Sequence, residues 1–321
     1  MLASYRWLTE LAGFSVPPAE LADRLTFSGL EVDSLVHRGP EFADIVIGEI
    51  VSRHPHPKRD GLSVVEVNDG RGVVNVVCGA ANCPGAGGRV ILARVGARIG
   101  NQCIAPRELQ GAPSMGMLCS EAELGIGPDN DGIMVVGDET SAPAGTSIVE
   151  ALALEAWIIE LGVTPNRPDA LSHYGLAREM CLLYNRSFQP LAVPEVPFGG
   201  VPCADSVSVV IEDGNGCRRY AAALVRGVSV RPSPFALRYR LHCLGIRPIS
   251  NLVDITNAVL MLTGQPLHAF DYDRLAAPRI EVRRARNGET MQTLDGATRQ
   301  LLSTDLLICS SAASGRLPPP A

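Results

Sequence analysis

Gly245-Ile-Arg-Pro-Ile-Ser-Asn-Leu-Val-Asp-Ile-Thr-Asn-Ala-Val-Leu-Met-Leu-Thr-Gly-Gln-Pro-Leu-His-Ala-Phe-Asp271 contains the most informative pattern in the chain. Its front half repeats apolar residues at nearly helical spacing, and Gly264 followed by Pro266 predicts where that helix ends. Four short polar residues interrupt the apolar pattern, and such residues are poor helix formers: Asn251, Asp254, Thr256 and Asn257. We therefore expect a constraint other than packing to keep them there.

Three further segments carry distinctive motifs, in a fixed order along the chain. They are Val76-Val-Cys-Gly-Ala-Ala-Asn82, Ser114-Met-Gly-Met-Leu-Cys-Ser-Glu-Ala-Glu-Leu-Gly125 and Thr164-Pro-Asn-Arg-Pro-Asp169. Together with the opening stretch, they resemble the beta subunit of bacterial phenylalanyl-tRNA synthetase. The resemblance runs in the family's order from residue 1 to about residue 308.

This resemblance implies a multidomain α+β fold with three parts. They are a small α/β head, an inserted OB-fold β-barrel that binds tRNA, and a partial mixed α/β editing domain of the B3/B4 type. The implied boundaries are 1–38 plus 152–188 for the head, 39–151 for the barrel, 189–204 for a linker, 205–308 for the editing domain and 309–321 for an atypical tail.

The residue pattern itself predicts a small closed barrel between residues 44 and 137. Short β-rich runs cover 45–51, 62–67, 73–77, 89–95 and 132–136, with turn signals between them. Ser120 and Glu123 have the spacing of a capping box, which predicts one helical turn near the barrel rim. Cys119, inside an apolar motif, is predicted to be a buried small hydrophobic residue.

Outside the barrel, helices and strands alternate. The pattern predicts a first helix capped by Ser4, and a later helix opened by Ser233-Pro234 and closed by Gly245. It also predicts a helix over 171–184 with Leu171 facing inward. The remaining predictions are a helix over 19–27 and strands over 31–36, 157–161, 206–211, 220–225, 279–284 and 306–308.

Two departures from the family stand out. The family's beta subunit is more than twice as long, and it includes a module that docks on the alpha subunit. Beyond residue 308 the family continues into a Gly-rich segment and an acidic residue of the proofreading pocket, whereas residues 309–321 here are small and Pro-rich. We expect a truncated or frame-shifted product, whose incomplete pocket hydrolyses mischarged tRNA slowly or not at all.

Composition limits the possible function classes. A chain of 321 residues with 46% hydrophobic residues can bury a sizeable core. It has no apolar run near the roughly 18 residues of a membrane span, and it has no signal-peptide layout. Nine cysteines without a C-x-x-C pair indicate reduced thiols, a cytoplasmic location and no zinc site. The net charge of −6 argues against indiscriminate binding to nucleic acid, but allows a local basic face.

Proofreading predicts the first set of site residues. Hydrolysis of an aminoacyl ester requires an oriented water and a stabilised oxyanion, which a histidine and an asparagine amide can partly supply. The resemblance places His268 and Asn257 at a pocket that accepts tyrosine wrongly attached to tRNA for phenylalanine. In the alternative interpretation, His268 caps the preceding helix or bonds Asp271. Asn251, Asp254 and Thr256 line the pocket at most, because local backbone bonding also explains them.

The barrel predicts the second set. Arg53-His-Pro-His-Pro-Lys-Arg59 is the most basic run in the barrel segment, and it contains the only lysine of the chain. The resemblance makes this run tRNA-facing, although a solvated charged hairpin explains it equally well. His54 and His56 lack further ligands at metal spacing. The predicted tRNA-binding residues are Arg53, Lys58, Arg59, Arg94, Arg98 and Arg107.

No Walker loop or dinucleotide fingerprint is present, so no cofactor is expected on this chain. By resemblance, the full enzyme uses ATP and Mg²⁺, assembles with the alpha subunit as α2β2 and acts on tRNA(Phe). The predicted function is tRNA binding and proofreading as part of phenylalanine–tRNA ligase. One alternative is a stand-alone tRNA-binding or assembly module without catalysis. Another is a structural subunit that contacts only its partner chain.

Overall fold

The computed structural model describes residues 1–38, 40–137, 140–154, 157–195, 199–275, 277–293 and 296–310. The predicted tail therefore lies outside the described residues, except for Cys309 and Ser310. The α-helices of the described residues are α1 (Tyr5–Ala12), α2 (Pro18–Phe27), α3 (Glu121–Leu124), α4 (Ile148–Ala151), α5 (His173–Leu183), α6 (Phe235–Cys243) and α7 (Asn251–Thr263). None of these helices has the length and apolar character needed to cross a membrane.

The strands lie mostly in the first half of the described chain. They are β1 (Leu2–Ser4), β2 (Glu31–His37), β3 (Ile45–Pro55), β4 (Ser63–Asn68), β5 (Val73–Cys78), β6 (Arg89–Arg94), β7 (Arg98–Ile99), β8 (Gln102–Cys103), β9 (Arg107–Leu109), β10 (Ala112–Ser114), β11 (Gly116–Leu118), β12 (Val135–Val136), β13 (Trp157–Gly162), β14 (Ser208–Ile211), β15 (Arg279–Arg284), β16 (Thr290–Gln292), β17 (Thr298–Gln300) and β18 (Leu306–Ser310).

Two of the predictions outside the barrel are wrong. Residues 220–225 form no strand, and the three-stranded sheet of this part of the chain consists of β14, β15 and β18 among the described residues. Leu171 does not face inward and its side chain is 52% exposed, because the α-helix begins only at His173, after a short 3-10 turn. The predicted ends of the other helices hold to within two residues.

The chain divides into two compact units. The first comprises Met1–Pro190, Ser233–Ile249 and Asn257–Pro266, and the second comprises Leu191–Pro232, Ser250–Thr256 and Leu267–Ala321. Helix α7 therefore contributes residues to both units.

In the first unit, a three-stranded antiparallel sheet joins chain segments that lie on either side of the barrel in sequence. Strand β13 is the central strand, with β1 and β2 on its edges. Helices α1 and α2 cover this sheet together with α5, and they bury Leu8, Leu21 and Met180 against Ile159. Ser4 caps α1, as predicted, by accepting a hydrogen bond of 3.0 Å from the backbone N–H of Trp7.

The barrel of the first unit is an antiparallel sheet in the order β11-β6-β3-β4-β5, with β12 also paired to β6. The backbone N–H of Met115 donates to the carbonyl of Asn75 at 2.7 Å, which connects the last strands of the barrel back to β5. Fully buried branched residues fill the interior, including Ile47, Val67 and Ile91. The hairpins β7–β8 and β9–β10 extend the barrel beyond the predicted strands.

Helix α6 packs against one end of the barrel and holds α3 in place. The guanidinium of Arg238 donates two hydrogen bonds of 2.7 Å to the carboxylate of Glu121, the first residue of α3. The Glu121 side chain is only 6% exposed, and that of Arg238 is 22% exposed. At the other end of α3, Arg38 donates to the carbonyl of Gly125, and the ring of His242 contacts the same oxygen.

The second unit contains a small sheet with β15 in the centre, parallel to β14 and antiparallel to β18. Strand β18 continues through Cys309 to Ser310, beyond the predicted end at residue 308, and Cys309 is buried. Arg283 makes two hydrogen bonds, of 2.9 and 2.8 Å, to the carboxylate of Glu289. This partner lowers the pKa of Glu289 to about 2, so the pair stays ionised at neutral pH.

A buried histidine connects three parts of the first unit. Nε2 of His173 accepts from the backbone N–H of Ser4 at 3.0 Å, so Nδ1 carries the proton and donates to the carbonyl of Met261 in the last turn of α7. Burial, with a smaller contribution from the positive charge of Arg240, lowers the pKa of His173 to about 4. Gly264, with φ of 78°, supplies the predicted end of α7.

Because His173 is neutral in the folded chain, we predict that the free energy of unfolding decreases in acid. Because the pKa is about 4 in the folded state and 6.5 ordinarily, the unfolded chain takes up the proton first as the pH falls. The contribution of neutral His173 to the free energy of unfolding is fully present above pH 6.5. It is lost as the pH falls towards 4, at about 1.4 kcal/mol per pH unit. In urea titrations across this range, His173→Gln should lower stability at pH 7.5 and flatten the pH profile. The exposed-site control His54→Gln should keep the wild-type slope; an equally steep profile for His173→Gln would contradict the assignment.

The pair Glu121–Arg238 predicts a measurable coupling in a double-mutant cycle. Breaking one partner leaves the other charge largely removed from water, whereas replacing both leaves no orphaned charge. With Glu121→Gln, Arg238→Met and the double variant, we expect a coupling free energy of about 0.5–3 kcal/mol from thermal or urea unfolding. The exposed pair Arg6–Glu10 is the control, and we expect it to show a smaller coupling. Additive effects of Glu121→Gln and Arg238→Met would exclude a stabilising role for this contact.

Candidate functional site

Two of the predicted tRNA-binding arginines serve the barrel framework. Nε of Arg53 donates to the hydroxyl of Ser63 at 3.1 Å, and its guanidinium also donates to the carbonyl of Cys83. Nε of Arg94 lies 2.9 Å from the carboxylate of Asp69, and both side chains are almost fully buried. Burial alone would raise the pKa of Asp69, but the N–H donors around the carboxylate, including Arg94, lower it on balance.

The other four predicted cations are exposed. Within the described part of the chain, Lys58, Arg59, Arg98 and Arg107 have no hydrogen-bond or ion-pair partner for their charged groups. The charges of these four side chains are therefore available to a ligand.

A buried histidine positions the turn that carries two of these cations. His56 is 6% exposed, and its Nδ1 accepts from the backbone N–H of Lys58 at 3.1 Å. Its Nε2 therefore carries the proton and donates to the carbonyl of Leu109 at 3.0 Å. These two hydrogen bonds connect the β3–β4 turn to β9, the strand that contains Arg107. Lys58 and Arg59 on the turn and Arg107 on β9 therefore belong to neighbouring segments, and we name these three residues the cationic rim.

Next to the cationic rim, the barrel has a cavity of about 560 Å³. Arg107 and Leu109 line one side of it, and Glu123 and Asn130 are among the residues that line the rest. A volume of this size is within the range of small-ligand sites. We name it the barrel cavity.

The two barrel motifs found in the sequence build the walls of the barrel cavity. The side-chain amide of Asn82 donates to the carbonyl of Ile133 at 2.8 Å and accepts from its N–H at 3.0 Å. A Cβ on Gly132, which has φ of 130°, would lie 2.3 Å from Asn82 Oδ1. Ser120 and Glu123 form the predicted capping box, with the Ser120 N–H donating to Glu123 at 2.7 Å.

Cys119 lies beneath this wall and is fully buried, as predicted. Burial raises the pKa of its thiol to about 12, so it stays protonated. The sequence did not predict the cavity itself, although both motifs that form it were evident. The two motifs are distinctive in the sequence, but the sequence does not show that they lie next to each other in the folded barrel.

The residues predicted for proofreading lie on and after α7. Asn257 is half-buried on the helix and belongs to the first unit, whereas His268 is exposed in the following segment and belongs to the second. The His268 ring contacts that of Phe270 edge-on, with the centroids 4.5 Å apart. The carboxylate of Asp271 accepts from the backbone N–H of Asp273. The joint role of His268 and Asn257 stays a prediction.

The short polar residues at the start of α7 have different surroundings. The Asn251 amide donates to the carbonyl of Ser229 at 3.0 Å and accepts from the N–H of Arg231, so it anchors the helix start. The Thr256 hydroxyl donates to the carbonyl of Val253 at 2.7 Å. The Thr256 contact favours the local-bonding explanation, whereas these Asn251 contacts are with backbone groups distant in sequence. Asp254 is fully buried within the helix.

Metal ligands are not grouped in the described ranges. No set of three or more His, Cys, Asp or Glu side chains there is arranged to hold a metal ion.

Two known domain families match this chain. Residues 45–147, which contain the barrel, match the family described as "Putative tRNA binding domain". Residues 216–319 match the B3/4 domain. The second match includes α6, α7 and strands β15 to β18, but not β14, and it reaches beyond residue 308.

Curated relatives match almost the whole chain. It is 45% identical over 312 residues to the phenylalanine–tRNA ligase beta subunit of Nitratidesulfovibrio vulgaris, covering 96% of this chain. It is 45% identical over 310 residues to the corresponding subunit of Syntrophotalea carbinolica, and 46% identical over 310 residues to that of Anaeromyxobacter dehalogenans. The chain spans about 38% of the length of these relatives, and over that span it belongs to the family of phenylalanine–tRNA ligase beta subunits.

Proposed function

We propose that this chain supplies tRNA binding and proofreading to phenylalanine–tRNA ligase. The observation that carries the proposal is the cationic rim, three exposed cations without partners among the described residues, on a barrel that matches a tRNA-binding family. The B3/4 match over the region of His268 supports the proofreading part.

The cationic rim suits phosphate recognition despite the acidic chain. Affinity for nucleic acid depends on the phosphates that are neutralised locally, so a net charge of −6 is compatible with a basic contact surface. Arg59 and Arg107 can each grip a phosphate with two N–H groups, and Lys58 adds a compact charge. Because His56 holds the turn against β9, the backbone that carries Lys58 and Arg59 is positioned next to β9 before binding.

The similarity to beta subunits supports a proposal for the partners and cofactors. We infer that the chain acts together with the alpha subunit, as α2β2, and on tRNA(Phe). ATP and Mg²⁺ would serve amino-acid activation on the alpha subunit, and this chain would hold neither.

Proofreading by this region has a physical rationale. A site that selects phenylalanine must reject tyrosine, which differs by one hydroxyl, and an apolar pocket rejects an added hydroxyl only about a hundredfold. A second, hydrolytic site would increase the accuracy. His268, as general base or water-orienting group, and Asn257, as amide donor, are the residues we propose for it.

The tRNA proposal predicts a salt-dependent affinity that Lys58 and Arg59 control. Neutralising two to four phosphates implies a log–log salt slope of about −2 to −4. Lys58→Gln/Arg59→Gln should weaken binding of a tRNA(Phe) transcript and reduce the magnitude of that slope by about 2. Filter binding or fluorescence anisotropy between 50 and 200 mM salt, the range in which such losses are large, measures both quantities.

The control for this experiment removes the same charge elsewhere. Arg218 and Arg219 are exposed in the second unit, and Arg218→Gln/Arg219→Gln should leave the slope unchanged. An affinity that does not respond to salt would remove the barrel from the RNA contacts. Absence of tRNA binding together with co-purification with the alpha subunit would favour the purely structural function.

The proofreading proposal predicts that His268 controls ester hydrolysis. In a beta subunit where this chain replaces the matching region of a curated relative, assembled with the alpha subunit, His268→Ala should slow deacylation of tyrosyl-tRNA(Phe). A loss of about 10²-fold is expected for a positioned acid–base group. Single-turnover release of labelled tyrosine measures the rate, and the exposed barrel substitution His54→Ala is the control. Equal rates with and without His268 would show that another residue is central.

A further inference from the structure

We propose that the barrel cavity is a nucleotide site, which holds one unpaired nucleotide of the tRNA with its base inside and its phosphate at the cationic rim. This inference rests on the proposed tRNA-binding function, because it names the part of the RNA that the barrel recognises. The argument depends on the charge distribution, the free hydrogen-bonding groups and the rigidity of the walls.

The barrel cavity is lined by side chains of both charges. Arg107 lines it on the β9 side, and the contact from His56 to Leu109 brings the turn of Lys58 to that same strand. The Lys58 ammonium also lies against Gly111, in the β9–β10 turn. Glu123 and Asp131 are among the residues lining the rest of the cavity. A ligand with an anionic end and an uncharged, donor-bearing end matches this distribution, and a nucleotide has both.

The free hydrogen-bonding groups suit a base edge. The Ser120 hydroxyl lies 2.9 Å from Oε2 of Glu123 and 3.2 Å from the amide of Asn130, so these two side chains are neighbours. The hydrogen bonds of Glu123 with other described residues use Oε2, which leaves Oε1 as an acceptor. One end of the Asn130 amide also has no partner among the described residues. A carboxylate beside an amide can bind the amino groups of adenine, cytosine or guanine.

The remaining lining supplies apolar surface for the faces of the base. Ile104, Leu109, Met117 and Ile133 all line the barrel cavity. The flat, largely apolar faces of a base can pack against such side chains and lose contact with water. The cavity volume of about 560 Å³ is sufficient for one nucleotide rather than a helical segment.

The walls are held in place without a ligand. The capping box fixes α3, the pair Glu121–Arg238 anchors it from outside the cavity, and Asn82 clamps the backbone of Ile133. A preformed cavity loses little conformational freedom on binding, which favours recognition of a single nucleotide. Paired nucleotides cannot enter, because their base edges and faces are occupied by the helix.

The experiment fills the cavity without altering charge. Ala81 and Ala105 are exposed residues of the lining, and Ala81→Leu/Ala105→Leu reduces the space for a base. The control variant is Ala19→Leu/Ala86→Leu, which makes the same change at two exposed positions outside the lining. For the whole chain, tRNA(Phe) affinity and salt slope are measured together with saturation-transfer NMR signals from AMP, CMP and UMP. Thermal unfolding verifies that both variants fold.

We expect the filled variant to bind tRNA about tenfold more weakly, the loss of one packed base, with an unchanged salt slope because the cationic rim is intact. Its mononucleotide signals should disappear, while the control variant behaves as wild type. In wild type, AMP and CMP should give stronger signals than UMP, which has no exocyclic amino group.

The other outcomes separate the two proposals. Equal tRNA affinity for wild type and filled variant would overturn the cavity proposal and leave tRNA binding by the cationic rim intact. No tRNA binding, but mononucleotide signals that the filled variant loses, would overturn the proposed function and support a site for free nucleotides. Absence of both signals in wild type would overturn both proposals.

Discussion

The pairing of β13 between β1 and β2 is the constraint on which the first unit depends. The chain leaves the three-stranded sheet after β2, forms the barrel, and then returns to place β13 in the middle of that sheet. The strands that precede and follow the barrel, β2 and β13, are therefore joined to each other by backbone hydrogen bonds. His173, which follows β13, then bonds to Ser4 and to Met261.

Local charge arrangement matters more here than total charge. Arg94 and Arg107 are both barrel arginines, yet Arg94 is buried against Asp69 and Arg107 is exposed beside the barrel cavity. The first stabilises a loop, since the Asp69 carboxylate also accepts from the backbone N–H groups of Arg71 and Gly72. The second has its charge available to a ligand. The net charge of the sequence cannot distinguish these two arginines, because their roles depend on whether a carboxylate lies next to the guanidinium in the fold.

Local patterns predicted the elements well where one physical signal dominated. Ser4, the Ser120–Glu123 capping box and Gly264 all act at the helix ends as predicted, because capping depends on neighbours in sequence. The strand predicted over 220–225 was wrong, because strand formation depends on packing and pairing with other strands, which the residues themselves do not specify. The hairpins β7–β8 and β9–β10 were missed because strands of two or three residues carry too little alternation to detect.

The candidate site was predictable only in part, for a related reason. Basic residues near the β3–β4 turn were evident, but their exposure depends on His56, whose two hydrogen bonds reach Lys58 and the distant Leu109. The sequence pattern gave that histidine no further ligands at metal spacing and no structural role, whereas in the structure it is buried and connects the turn to β9. The motif residues Asn82, Ser120 and Glu123 likewise form hydrogen bonds within the protein. Their distinctive chemistry maintains the shape of the barrel cavity, and the groups that remain unpaired are the ones available for recognition.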